Sequence, residues 1–141
     1  MPFREKISWL SLGGILLAFG PYFAMLLSGT PPWALNPISA AWFIGMVSVL
    51  ATVMAVGTIG VALTNLREAQ RPSDERDRMI ARRASSIAYA VLAPALWLAL
   101  ATLFVSSSLS VLVNAVLAAI VVAEVVRCAA EIAGYRRGWH G

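Results

Sequence analysis

Four stretches of this chain, 7–28, 38–66, 84–105 and 109–126, contain between them a single charged residue, Glu124. No other feature restricts the fold so strongly. A run of about 18 or more apolar residues is long enough, as an α-helix, to cross a hydrocarbon core about 30 Å thick. In lipid every backbone N–H and C=O needs an internal partner, so such runs fold as helices. Composition agrees: 60% of the 141 residues are hydrophobic and 13% are charged, where a soluble domain carries about 25% charge. Mean hydropathy is +0.78. The sequence therefore predicts an all-α membrane protein of one domain, 1–141, with four transmembrane helices forming two hairpins.

The first run competes with a secretory signal peptide, because Arg4, Glu5 and Lys6 precede it. Its apolar part is about twice the usual length for a signal peptide, and no Ala-x-Ala-like cleavage site follows, so a retained span is expected. Pro21 and Pro94 lie inside the first and third runs, where a missing N–H bends a helix. The connections 29–37 and 106–110 are rich in Pro or Ser and carry no charge. Gly45, Ser48, Thr52, Gly57, Gly60 and Thr64 punctuate the second run, and small residues let membrane helices approach closely. Gly134 is expected to stop the last helix.

The segment 67–83 is the one long polar stretch. Pro72 ends helix two. Ser73 is the expected N-cap of helix three, with Asp74, Glu75 and Asp77 in a first turn that the helix dipole favours for negative charge. No breaker follows before Pro94, so helix three is expected to extend about 15 Å into the cytoplasm before it enters the bilayer.

Charge sets the topology. All eleven basic residues fall in three segments: Arg4 and Lys6 before the first span; Arg67, Arg71, Arg76, Arg78, Arg82 and Arg83 between spans two and three; and Arg127, Arg136 and Arg137 after span four. The two other connections have none. With four spans these segments share one face, and the positive-inside rule makes it the cytoplasm. The expected location is the cytoplasmic (inner) membrane of a bacterium, with both termini inside. Trp9, Tyr89, Tyr135 and Trp139 fall at the inner interface and Tyr22, Trp33 and Trp42 at the outer one. Trp97 is too deep for an interfacial belt and is expected to pack between helices.

The same census narrows function. Positive-inside bias accounts for the net charge of +4, so direct nucleic-acid binding is not implied. One cysteine, Cys128, and one histidine, His140, cannot build a metal site of three or four ligands. There is no Ser/His/Asp or Cys/His set and no phosphate-binding Gly-x-x-x-x-Gly-Lys loop. A non-enzymatic protein without a cofactor is expected.

Two groups of residues invite a functional reading. Glu124, the carboxylate inside a span, is a candidate ligand or proton site. It also lies three residues before Arg127, or near Arg82 and Arg83 at the foot of span three, and an ion pair with any of them is the plainer reading. Asn114 is expected to bond a neighbouring helix. Asp74, Glu75, Arg76, Asp77 and Arg78 read either as a solvated, salt-laced helix start, with Asp74–Arg78 at i,i+4, or as a docking surface whose interleaved charge fixes a partner's register. Arg82 and Arg83 suit anionic headgroups.

The stretch 74–84, Asp-Glu-Arg-Asp-Arg-Met-Ile-Ala-Arg-Arg-Ala, followed by Ile87-Ala-Tyr89 and a span, resembles a motif of small multi-pass membrane protein families of bacteria and archaea whose function is unknown. Some members are encoded beside small helix-turn-helix regulators. The resemblance covers 74–89 and implies membrane-bound control of a transcription factor. The expected function is a regulatory or interaction protein whose cytoplasmic face docks a protein partner; four short spans bury little surface on one another, which suits a homo-oligomer such as a dimer. The alternative is a small dimeric proton-coupled transporter or export subunit that uses Glu124.

Overall fold

A computed structural model describes residues 3–28, 37–64, 74–106 and 108–137. They form four helices: α1 (Phe3–Leu27), α2 (Pro37–Thr64), α3 (Glu75–Val105) and α4 (Leu109–Arg137). Each is long and apolar enough to cross a membrane. The prolines do not end their helices: Pro21 is inside α1 and Pro94 inside α3. Several expectations fall outside the described residues, namely the loop 29–36, Arg67, Arg71, Ser73, Trp139 and His140.

The start of α3 is one residue later than expected. Asp74, not Ser73, is the N-cap. Its backbone is extended (φ −65°, ψ 156°) and its carboxylate accepts from the Glu75 N–H at 2.7 Å, leaving Glu75 and Asp77 in the first turn. The end of α4 also differs. The helix passes Gly134 and continues to Arg137. Helical glycine costs about 1 kcal/mol, but Gly134 is buried in a contact, and the residues after it bind other helices.

The helices form an open row, α2–α1–α4–α3. The most extensive packing joins α3 to α4, and α1 packs on both α2 and α4. Alanines line the buried positions of the α3–α4 pair, Ala84, Ala88 and Ala99 on one helix and Ala119 and Ala123 on the other. Side chains this small let two backbones approach in an apolar medium. The apolar cluster at the centre of the row joins Ile15, Ala18 and Phe19 of α1 to Cys128 of α4, with Leu50 and Met46 of α2 and Val121 and Leu117 of α4 packed on it. On the far side of α1, Gly14 faces Leu50 and Gly57 faces Leu10. A Cβ at Gly57 would collide with the Leu10 side chain.

In the edge helix α2 no residue of 44–63 is fully buried within the chain. Trp97 is also a correction: it is 74% exposed on the outer side of α3, not packed between helices. The α3–α4 contact runs through alanines, so a bulky indole has no place in it.

Candidate functional site

Three helix ends meet at one end of the row. The contacts give the register. Arg4 Nε of α1 lies 3.2 Å from Asp77 Oδ2 at the start of α3. Glu5 Oε1 of α1 lies 3.5 Å from Arg136 Nε in the last turn of α4. The Ser8 hydroxyl of α1 donates to Glu131 Oε2 of α4 at 2.7 Å and lies 3.1 Å from the Arg4 carbonyl oxygen. Tyr135 of α4 lies beside Asp77; burial, with the Asp77 charge added to it, pushes the phenol up. The Arg136 guanidinium lies 5.4 Å from the centre of the Trp9 ring. The described parts of all three charged segments read from the sequence therefore meet at the same end.

Burial is uneven across this cluster. Glu5 and Ser8 are each 4% exposed, and Glu5 Oε1 has no hydrogen-bond donor among the described residues. A buried carboxylate is stable only when compensated by nearby positive charge or donors, and Arg136 supplies the charge. At the rim the outward side chains are Asp74, Glu75, Arg76, Arg78, Arg82 and Arg83, all exposed. The Arg78 N–H bonds the Asp74 carbonyl at 3.1 Å as part of the first turn.

The five residues read as a docking surface therefore separate. Asp77 points inward, to Arg4 and Tyr135. Asp74 caps the helix. Glu75, Arg76 and Arg78 are exposed. The start of α3 does not stand alone: Asp77 is level with the first turn of α1, which also contacts the last turn of α4. The first turn of α3 forms a corner with two other helix ends, because α4 runs past Gly134 to Arg137.

Glu124 pairs with Arg127 on its own helix, Oε2 to Nη2 at 2.7 Å and to Nε at 2.9 Å. Both side chains are more than 40% exposed. Arg82 and Arg83 lie on the exposed side of α3. At the other end of the row Asn114 is buried. Its Oδ1 accepts from the Tyr22 hydroxyl of α1, and its Nδ2 donates to the Ser110 carbonyl at 2.8 Å. Tyr22 is thus tied to a polar partner between helices, in addition to lying edge-on to Phe23.

Sequence reasoning missed Glu5, Ser8, Glu131, Tyr135 and Arg136 as a set. A signal was present. Glu5, Ser8, Leu12, Ile15 and Phe19 recur at spacings of three and four, so one face of α1 carries two polar residues in line with the core. Among the described residues no group of three or more His, Cys, Asp or Glu side chains could hold a metal ion.

The fold defines a class: an all-helical chain with four helices of membrane-spanning length and composition, fastened at one end by ion pairs between helices. Comparison with protein-family models, with curated proteins and with solved structures finds no match to this chain.

Proposed function

We propose that this chain is a multi-pass inner-membrane protein whose basic end faces the cytoplasm and docks a protein partner, in the manner of a membrane-bound regulator. One observation carries the reading. The charged end is divided into an inner set that fastens helices to one another and an outer set, Glu75, Arg76 and Arg82, that is exposed. A surface of both signs held on a fixed scaffold fits a specific protein contact, where complementary charge sets orientation and encounter rate. A segment that only held lipid would be basic throughout. Arg82 and Arg83, nearest the apolar span, would touch anionic headgroups.

The two-fold split of roles gives a test. Cross-linking in cells followed by recovery of the tagged protein compares the parent chain with Glu75→Lys and Arg76→Glu. Loss of a specific partner in both variants is expected, with unchanged membrane insertion. Recovery of the same partners in the same yield removes the docking reading.

A further inference from the structure

We propose that Ser8 and Glu131 form a proton-binding site on the seam between α1 and α4. Apart from the rim residues Asp74 and Glu75, four carboxylates are described. Three of them face an arginine: Asp77 with Arg4, Glu5 with Arg136 and Glu124 with Arg127. Glu131 is the fourth. Among the described residues no basic side chain forms an ion pair with it, and its partner is the Ser8 hydroxyl at 2.7 Å. Ser8 is 4% exposed and is the second residue of the apolar run 7–28. A carboxylate at that level is costly as an ion without a cation beside it.

The surroundings hold no spare cation. Arg4 and Arg136 answer Asp77 and the buried Glu5. Arg127, one turn back on α4, meets Glu124 through both Nε and Nη2. Lys6 is two residues from Ser8, and so about 160° around α1 from it. From α3 the inward charge is Asp77, which is also negative. Tyr135 and Cys128 are the other titratable neighbours on α4, both within range of the Glu131 charge.

The geometry serves both protonation states without moving a heavy atom. Ser8 Oγ has one proton and two acceptors in reach, Glu131 Oε2 at 2.7 Å and the Arg4 carbonyl at 3.1 Å. With Glu131 ionised, the hydroxyl donates to Oε2. When Glu131 gains a proton, the new O–H at Oε2 donates to Ser8 Oγ. The hydroxyl then turns to the Arg4 carbonyl, the i−4 acceptor open to a helical serine. The proton comes from hydronium, which leaves as water, and no other bond forms or breaks. Glu124, the candidate proton site read from the sequence, is instead occupied by Arg127, which meets its Oε2 through two nitrogens.

Infrared difference spectra test the site on the full chain in phosphatidylcholine vesicles. As the pH is lowered from neutral, they follow the C=O stretch that a carboxyl group gains with its proton. The first such band is expected from Glu131. It should be lost in Glu131→Gln, kept in Glu124→Gln, and moved to higher frequency in Ser8→Ala, where the acid has lost its acceptor. A first band that survives Glu131→Gln, or that ignores Ser8→Ala, overturns the site. Should Glu131→Gln not fold, Glu131→Asp keeps an acid with a shorter reach. The band should then move, and an unmoved band overturns the assignment. The readout does not involve partner recovery, so the docking reading stands or falls separately.

Discussion

Arg136 is where a single side chain carries most. It faces the buried carboxylate of Glu5 and the ring of Trp9 together. Its neighbour Arg137 is exposed. Removing the charge beside a buried carboxylate leaves that carboxylate uncompensated, whereas removing an exposed charge changes little. Arg136→Ala should cost about 1–2 kcal/mol, reduced from the fully buried case because the arginine is itself half exposed. Arg137→Ala should stay within about 0.5 kcal/mol. Thermal unfolding in detergent compares them, and equal losses would remove Glu5–Arg136 as a fastening. At the opposite end, a double-mutant cycle with Tyr22→Phe and Asn114→Ala should give a coupling of about 0.6 kcal/mol, the usual size for a hydrogen bond between membrane helices. A coupling of zero would mean that the contact does not contribute. Of these residues Asn114 was legible in the sequence, because an amide in an apolar run needs a partner. Glu5 was not singled out, because a carboxylate next to Arg4 and Lys6 reads as part of a solvated N-terminus. Its burial depends on Arg136, 131 residues further along the chain, and no local pattern reports that.

At the scale of elements, the four helices were legible from hydropathy alone, since the length of an uncharged run and the demands of a lipid solvent leave one secondary structure. Their ends were less so. Ser73 and Asp74 are both good caps by chemistry, and one atomic contact, Asp74 to the Glu75 N–H, decides between them. Gly134 reads as a stop, yet tertiary contacts through Tyr135 and Arg136 carry α4 past it. The glycines of α2 make a sharper test of helix packing. Gly57 abuts Leu10, while Gly45 and Gly60 have open space where a Cβ would be. Gly57→Leu should therefore separate α1 from α2 and cost about 1–3 kcal/mol, the range for overpacking a tight contact. Gly45→Leu should cost nothing and stabilise by up to about 1 kcal/mol, since it removes a helical glycine without a clash. Unfolding midpoints in detergent, with α1–α2 proximity measured by spin labels, distinguish them. Equal effects at both glycines would contradict the α1–α2 contact described here.

For the whole molecule, helix order was not legible. Apolar faces in a membrane chain are apolar all round, so periodicity does not say which side meets a neighbour, as the exposed Trp97 illustrates. Charge did better. Grouping the basic residues into three segments implied that the start of α1, the start of α3 and the end of α4 share one side, and Arg4–Asp77 with Glu5–Arg136 place them together. The side of the membrane on which that end lies is the central claim, because docking depends on it. In a Cys128→Ser background, Glu75→Cys, Arg137→Cys and Thr30→Cys are labelled with a membrane-impermeant maleimide in inside-out and right-side-out vesicles. The account predicts that Glu75→Cys and Arg137→Cys react only in inside-out vesicles and Thr30→Cys only in right-side-out ones. Labelling of Glu75→Cys from the outside, or of Thr30→Cys and Glu75→Cys from the same side, would contradict it.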